Sequence, residues 1–351
     1  MNANQHTPAD PAAPGADSGG ATAGGRGARA AGDLPGPRGA RRARTRVAAA
    51  GCAAVLGAGL AVSGCAVGDS EAERAAQERE ESAPPAPGLP EEWKDAIADL
   101  EDEYGARIGV AVALPGASTD GTGELAPDFA GDLETDYAWS TAKVPIAVAY
   151  ERVTGEIDGI VEAALTVSDN DAAAVMWDSL GGGAASRKDV DAVLAEAGDT
   201  ETHMQTNEDG DYNGVFGMTD WSVRAQAVMG ANLLCIDGGP DVYEIMGDIA
   251  EDQSYGLGAI PGAHFKGGWA PDDDTGEYLV RQVGVLPAFG NDSGDAKDGP
   301  FVGVSVAVRP DDGTYGTAME ILDDLAVIMA EHPALGGRCP EGAPARAGAD
   351  T

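Results

Sequence analysis

Three short groups of residues in this sequence hold the side chains that an acyl-transfer reaction needs. They are Ser140 to Lys143, Ser168 to Asn170 and Lys266 to Gly268, in that order along the chain. Residues three apart lie on one face of a helix. A helix that starts at Ser140 would therefore place its hydroxyl beside the Lys143 amine and leave the N–H groups of its first turn unpaired. One turn would then supply a nucleophile, a base and part of an oxyanion hole.

Each group also has a purely structural interpretation. Ser140 could be a helix N-cap, Ser168 to Asn170 a turn or a cap, and Lys266 an exposed strand lysine. The surroundings of the first group favour the chemical interpretation, because Val144 to Tyr150 continues as an apolar helix that we expect to be buried. Buried helices seldom carry a lysine inside the core.

Read together, the three groups resemble the Ser-x-x-Lys, Ser-Asp-Asn and Lys-Thr-Gly motifs of serine β-lactamases and penicillin-binding enzymes. The surrounding residues narrow the resemblance to class A β-lactamase-related serine hydrolases of the actinobacterial lipoprotein type. The segments that carry it are Ser140 to Pro145, Ser168 to Ala173, Phe216 to Trp221, Lys266 to Trp269 and Tyr278 to Gly284. The resemblance spans roughly residues 91–332, which is the size of one domain.

The resemblance implies a role for each of five residues. Ser140 attacks the substrate and Lys143 takes its proton. Ser168 relays a proton to the leaving nitrogen, and Asn170 orients both the substrate amide and Lys143. Lys266 supplies positive charge near Ser168. Each of these roles suits the chemistry of its side chain.

The strand that contains Lys266 is expected to form the other side of the site. Gly267 and Gly268 have no side chains, so an acyl substrate could lie along this strand as an added strand would. The N–H of Trp269 would then complete an oxyanion hole with the N–H of Ser140, although Trp269 could equally be a plain core residue.

Three departures from the family pattern limit what the resemblance implies. Gly267 stands where the family carries a hydroxyl that holds a substrate carboxylate. Either Gln282 or Arg281 could take over this role, but not both, because neighbouring side chains of a strand point to opposite faces and only one of them can face the cleft. Ser168 follows Ser140 by only 28 positions, which predicts a reduced helical part. Glu208 with Asn213 is one residue out of register for the family's deacylating pair, so fast deacylation is not expected.

Composition divides the chain into five parts. Residues 1–37 are rich in Ala, Gly and Pro and are predicted to be disordered, and 38–64 read as a lipoprotein signal peptide with an arginine run and an apolar segment. Cys65 would be lipidated and become the new N-terminus, which predicts anchoring at the extracytoplasmic face of the membrane. Residues 65–90 form an acidic, Pro-rich tether, 91–335 the hydrolase domain and 336–351 a C-terminal tail. The export route, general secretory or twin-arginine, stays open.

Cysteine usage agrees with export. Cys52 lies in the segment that would be discarded and Cys65 would carry the lipid, which leaves Cys235 and Cys339 to form a disulfide. The alternative is two free buried thiols.

Charge and histidine spacing exclude several partners. The net charge of −37 excludes nucleic acid as a partner. The four histidines show no zinc spacing, and the calcium-loop-like residues 209–214 lack a preceding helix and a final Glu, so we expect neither a metal nor another cofactor. The expected partners are a small-molecule or peptidoglycan-like amide substrate and the membrane, and the protein is expected to be a monomer.

Hydrophobic periodicity places strands at both ends of the domain around a helical middle. Helices are predicted at 91–104, 141–153, 158–164, 171–180, 187–197, 220–234 and 317–331, and strands at 107–114, 123–132, 263–269, 278–286 and 301–308. This order predicts an α/β (α+β) fold, with an antiparallel sheet packed by N- and C-terminal helices plus a reduced all-helical insert, as in β-lactamases and transpeptidases.

The leading functional hypothesis is a lipid-anchored serine hydrolase that forms an acyl-enzyme at Ser140. The alternative is a catalytically silent protein of the same fold that serves as a binding or scaffold lipoprotein of the cell envelope. The absent hydroxyl at Gly267 and the absent deacylating Glu are what make this alternative credible.

Overall fold

The computed structural model describes residues 88–120, 125–206, 215–272 and 275–343. The segments 1–37 and 38–64, Cys65 and all but the last three residues of the tether lie outside the described residues. So do Glu208 and the calcium-loop-like residues 209–214.

Among the described residues, the first and the last secondary-structure elements are helices, and each has a strand as its neighbour in the sequence. The helices are α1 (Glu91–Tyr104), α2 (Lys143–Thr154), α3 (Gly159–Thr166), α4 (Asn170–Ser179), α5 (Gly183–Glu196), α6 (Val223–Asn232), α7 (Gly239–Ile245) and α8 (Tyr315–Glu331). The strands are β1 (Ala106–Ala113), β2 (Asp128–Gly131), β3 (Thr135–Tyr137), β4 (Asp220–Ser222), β5 (His264–Pro271), β6 (Tyr278–Pro287) and β7 (Phe301–Pro310).

Five strands form one antiparallel sheet in the order β2-β1-β7-β6-β5. The N-terminal strand β1 pairs along its whole length with β7, from Ala106 opposite Pro310 to Ala113 opposite Gly303. The central strands are almost completely buried, as expected for apolar strands covered on both faces. The sheet is therefore assembled from the two ends of the domain.

Helices cover both faces of the sheet. The terminal helices α1 and α8 pack on one face through Trp93, Ile97, Ile321 and Leu325. Helix α6 lies on the other face so closely that a side chain at Gly303 would overlap the α6 backbone. The apolar helix α2 is buried as predicted and is surrounded by the other helices of the middle part. This arrangement confirms the predicted fold class.

Three helix starts differ from the prediction, and one of them is a simple shift, because α5 begins at Gly183 and not at residue 187. The predicted helix at 141–153 begins instead with a 3-10 turn, Trp139–Ala142, that leads into α2. The first three residues of the predicted helix at 220–234 are strand β4, because they pair with β3 and Ser222 then caps α6 at the nitrogen of Ala225. Strand β3 and helix α7 were not predicted, since both are short and β3 depends on a partner far away in sequence.

Cys235 and Cys339 form the predicted disulfide, with their Cα atoms 5.3 Å apart. Gly337, two residues earlier, forms a β-bridge with Phe301. The described part of the predicted C-terminal tail, 336–343, is thus attached to the sheet and to the 3-10 turn that follows α6. Within the described ranges, none of the helices has both the length and the apolar character needed to cross a membrane.

Candidate active site

The turn that carries Ser140 has an unusual backbone. Trp139 adopts φ of 47°, in the left-handed region that a bulky residue rarely occupies, and such a residue costs about 1–3 kcal/mol. Strand β3 and the bond from the Ala138 nitrogen to the Thr219 carbonyl hold the chain on the N-terminal side of this turn. Lys143 begins α2 one turn later. These contacts therefore hold Trp139, the residue directly before the candidate nucleophile Ser140, in its left-handed conformation.

Lys143 is buried, and its amine contacts Ser168 and Asn170 of the second group of residues. Its Nζ donates to the Ser168 carbonyl at 2.6 Å, to Asn170 Oδ1 at 2.8 Å and to Ser168 Oγ at 3.2 Å. Burial lowers the pKa of Lys143 to about 8, against the opposing effect of the Asp169 charge. A lysine with this pKa is partly neutral near pH 7 and can accept a proton.

Lys266 reaches the same hydroxyl from strand β5. Its Nζ donates to Ser168 Oγ at 2.9 Å and to the Gly267 carbonyl at 2.8 Å, and its side chain is completely buried. Burial, and then the positive charge of Lys143, hold the pKa of Lys266 well below its usual value. Two buried amines this close disfavour a state in which both are charged.

The loop before α4 brings Ser168 and Asn170 to the lysines. Ser168 has φ of 59°, so it turns the chain sharply, and the Asp169 carboxylate caps α4 at the nitrogen of Ala172, 2.9 Å away. An aspartate at this position is a strong helix N-cap. The structural interpretation of this group is thus correct for Asp169, while its two neighbours contact Lys143.

The backbone of β5 lies directly against the Ser140 turn. A methyl group at Gly268 would be 2.9 Å from the Ser140 nitrogen and 3.0 Å from the Thr141 nitrogen. Only glycine allows this approach, which brings the third group of residues beside the first. Trp269 follows, half-buried, with its ring centroid 5.9 Å from Lys266 Nζ.

Gln282 lies opposite Gly267 in the pairing of β5 with β6, but its side chain is bonded to other protein groups, which corrects the sequence-based expectation. Gln282 is fully buried, its Nε2 donates to the Tyr255 carbonyl and its Oε1 accepts from the Leu257 nitrogen, both at 2.8 Å. Arg281 is buried too and is bonded to backbone carbonyls and Gln226. Both side chains satisfy protein groups, so neither is offered to a substrate.

A buried polar network behind the Ser140 turn was missed by sequence reasoning. Gln226 donates to Thr141 Oγ1 at 2.7 Å and accepts from Ser305 at 2.9 Å and from Arg281 at 3.1 Å. Arg281 also binds the carbonyls of Asp136 and Tyr137, each at 2.9 Å. The available signal was a glutamine in the middle of the apolar helix α6. No group of three or more His, Cys, Asp or Glu in the described residues could hold a metal ion.

Comparison with known proteins identifies the fold. No protein-family model matches the sequence, and no curated protein matches it. The TLA-3 extended-spectrum β-lactamase is 12% identical with a TM-score of 0.53, and a variant of the TLA-1 extended-spectrum β-lactamase is 13% identical with a TM-score of 0.52. Each match covers 69% of this chain and 98% of the other. A class A β-lactamase from Mycobacterium abscessus is 18% identical with a TM-score of 0.48, covering 68% and 98%. On the first two likenesses, this chain has the β-lactamase fold.

Proposed function

We propose that this protein is a lipid-anchored, extracytoplasmic serine hydrolase of the β-lactamase and penicillin-binding type. It attacks an amide or lactam bond through Ser140 and forms an acyl-enzyme. Its substrate is a small molecule or a peptidoglycan-like amide, and it acts as a monomer. The observation that carries the proposal is the convergence of Lys143 and Lys266 on Ser168 Oγ, at 3.2 and 2.9 Å.

The reaction needs a neutral amine one turn from the nucleophile. Lys143 in its neutral form accepts the proton of Ser140 as the Ser140 oxygen bonds to the substrate carbonyl carbon. Ser168 then passes its proton to the leaving nitrogen as the carbon–nitrogen bond breaks, and protonated Lys143 gives the proton it took from Ser140 to Ser168 Oγ. Lys266 shares Ser168 Oγ with Lys143 and stabilises the negative charge that develops during transfer.

Backbone donors are proposed to stabilise the oxyanion. The first donor is the Ser140 N–H, whose nitrogen lies against the backbone of β5 at Gly268. The second donor would be the N–H of Trp269, the next residue of the strand. Donors held by a turn and a strand are preorganised, which is the condition for this kind of stabilisation.

Burial offsets the overall charge of the protein. A net charge of −37 favours protonated lysines, whereas removal of water from Lys143 and Lys266 favours neutral ones. The lowered pKa of Lys143, about 8, is the result at the site. Local desolvation therefore makes base chemistry possible on a strongly acidic protein.

The experiment is intact-protein mass spectrometry after incubation with a penicillin. We expect a mass increase of one penicillin on the wild type and none on Ser140→Ala, while Ser179→Ala, which removes an exposed helix serine, still reacts. Equal reaction of Ser140→Ala would reject Ser140 as the nucleophile. A wild type that reacts neither with penicillin nor with a fluorophosphonate would favour the catalytically silent scaffold. A persistent adduct marks slow deacylation, and loss of the adduct with ring-opened product marks turnover.

Membrane attachment is tested separately. The proposal rests on the arginine run before the apolar segment that ends at Cys65, and the Cys235–Cys339 disulfide fits an oxidising compartment. In a bacterial host, the full chain should enter the detergent phase, and Cys65→Ser should not. Equal partition of both proteins would reject the lipid anchor.

A further inference from the structure

The segment that leads into the candidate nucleophile is bonded to buried side chains. Arg281 donates to the carbonyl oxygens of Asp136 and Tyr137, each at 2.9 Å. The next carbonyl along the chain, that of Ala138, accepts from the hydroxyl of Thr141. Three successive carbonyls are thus each bonded to a side chain that is itself completely buried.

Gln226 connects these side chains to one another. Its Nε2 donates to Thr141 Oγ1 at 2.7 Å, and its Oε1 accepts from Arg281 at 3.1 Å and from Ser305 at 2.9 Å. Arg281 also donates to the Trp221 carbonyl at 3.1 Å. We name four completely buried side chains the Gln226 network: Thr141, Gln226, Arg281 and Ser305. Because they face protein on all sides, they do not contact a substrate.

The Gln226 network lies on the face of the sheet that carries the Ser140 turn. Arg281 on β6 is directly opposite Gly268 on β5, and paired residues of neighbouring strands project to the same face. A methyl group at Gly268 would lie 2.9 Å from the Ser140 nitrogen and 3.0 Å from the Thr141 nitrogen. The turn therefore contacts β5 through its backbone and the Gln226 network through the side chain of Thr141.

The backbone directly before Ser140 needs this support. Trp139 has φ of 47°, a conformation that persists only where the surrounding contacts over-determine it. The Ala138 carbonyl, which accepts from Thr141, belongs to the peptide bond that joins Ala138 to Trp139. The contacts of the Gln226 network thus extend to the strained residue itself, and losing one of them would let the turn relax.

We infer that Arg281 and Gln226 are positioning residues of the acylation step. They act through Thr141 and the carbonyls before Ser140, and they set where the Ser140 hydroxyl and N–H lie relative to the backbone of β5. This inference rests on the proposed function and adds residues that its mechanism does not otherwise use. A misplacement of about 1 Å in such a site costs about a hundredfold in rate, so small movements of this turn have large effects.

A matched pair of variants tests the inference on the full-length protein. Thr141→Val keeps the shape of the side chain and loses both hydroxyl bonds, whereas Thr141→Ser keeps the hydroxyl and loses only a methyl group. Fluorophosphonate labelling of Ser140 is followed at several probe concentrations, which separates the maximal rate from the half-saturating concentration. We expect Thr141→Val to lower the maximal rate about tenfold or more and to leave the half-saturating concentration unchanged. Thr141→Ser should keep both values.

Gln226→Glu removes the same contact from its other end. The carboxylate still accepts from Arg281 and Ser305, but it has no N–H to donate to Thr141 Oγ1. The Thr141 hydroxyl then either loses this partner or turns to the carboxylate and releases the Ala138 carbonyl. We expect the maximal rate to fall as it does in Thr141→Val. This variant keeps the test decisive if Thr141→Val does not fold.

Ser186→Ala is the control for a loss of stability alone. Ser186 is completely buried as well, and its hydroxyl donates to the Trp177 carbonyl, which joins α5 to α4. Removing this hydroxyl should lower the Tm and leave both labelling parameters at their wild-type values. Circular dichroism establishes that each variant is folded at the temperature of labelling.

The outcomes separate the inference from the function. A lower maximal rate in Thr141→Val and Gln226→Glu, with wild-type values in Thr141→Ser and Ser186→Ala, supports the inference. Wild-type maximal rates in the folded variants, an equal fall in Ser186→Ala, or a change in the half-saturating concentration alone overturns it, while Ser140 labelling still supports the proposed function. Failure of the probe to label Ser140 in the wild type rejects the proposed function and the inference with it.

Discussion

The amines of Lys143 and Lys266 both donate hydrogen bonds to the hydroxyl oxygen of Ser168, although 122 residues separate the two lysines in the sequence. One amine comes from the first turn of a buried helix and the other from an edge strand of the sheet. Both have lowered pKa values, and burial is the main cause for each. This shared contact links the helical part of the protein to its sheet, and the Lys143 charge is the second cause of the lowered pKa of Lys266.

The reactivity of Ser140 should rise with pH. The neutral form of Lys143 grows as pH passes through about 8, so the fluorophosphonate labelling rate should increase up to that point and then level off. Lys143→Met should lower the rate about a hundredfold or more and remove the step. Lys188→Met, an exposed helix lysine, is the control. A wild-type profile that is flat between pH 6 and 9, near the pKa of about 8, would contradict a lysine base.

The same pKa value affects stability in a defined pH window. Lys143 has a pKa of about 8 when folded and an ordinary pKa of 10.5 in the unfolded chain, so between these values the unfolded chain binds more protons. Its contribution therefore makes the free energy of unfolding rise as pH increases through that window. Urea unfolding at pH 8 and pH 10 should show this rise in the wild type. The rise should be smaller in Lys143→Met, and an equal rise in both proteins would exclude Lys143 as its source.

Removing one neighbouring charge should shift the pH profile. The Asp169 charge raises the pKa of Lys143, so Asp169→Asn should move the labelling step to lower pH, while the asparagine oxygen still caps α4. The shift should be a fraction of a pH unit and shrink with added salt, since Asp169 is exposed. Asp158→Asn removes the same charge from the cap of α3 and should not shift the profile. A shift of equal size there would assign the effect to net charge alone.

Neighbouring glycines should respond differently to the same substitution. In Gly268→Ala the new methyl meets the Ser140 nitrogen and the Ala138 carbonyl oxygen at 2.9 Å, so either β5 or the Ser140 turn must move. We expect a loss of about 1–3 kcal/mol in the free energy of unfolding and a clear fall in labelling. Gly267→Ala has room for its methyl and should retain its stability. Similar stabilities for the two variants would contradict the close approach of β5.

The buried network around Gln226 should be needed for stability. Gln226→Leu removes the acceptor of Ser305 and one of several partners of Thr141 and Arg281, and we expect a cost of about 1–3 kcal/mol for a buried group that loses its partner. Gln253→Leu, which removes a side-chain amide that donates to the Val167 carbonyl near the surface, should change stability little. Urea unfolding measures both. Equal effects would show that the network contributes no more than a surface bond.

The disulfide should stabilise the domain strongly. It closes a loop between residues 104 apart, and a loop of this size is worth about 4–5 kcal/mol when the unfolded chain is constrained. A Cys235→Ser and Cys339→Ser double variant should have a lower Tm than the wild type. Reductant should lower the Tm of the wild type and leave the double variant unchanged. A double variant that still responds to reductant would contradict this.

Local sequence patterns alone predicted much of the fold and of the candidate site. Apolar periodicity located most helices and strands, and the spacing of Ser140 and Lys143 already placed them one turn apart. Cysteine counting identified the pair Cys235 and Cys339, which the structure joins. These features depend on neighbours in the sequence or on simple elimination. They could therefore be predicted without knowing the three-dimensional arrangement.

Only the tertiary structure decided how distant segments contact one another. It set the hydrogen bond of Lys266 to Ser168 Oγ, which the family resemblance had implied only as proximity, bonded Gln282 to the backbone of Tyr255 and Leu257, and made β4 a strand by pairing it with β3. It also imposed the left-handed backbone at Trp139. Each outcome results from contacts between distant segments, whose free energy exceeds local preference. Such contacts leave only faint traces in the order of the residues, because strand register and burial are properties of the assembled fold.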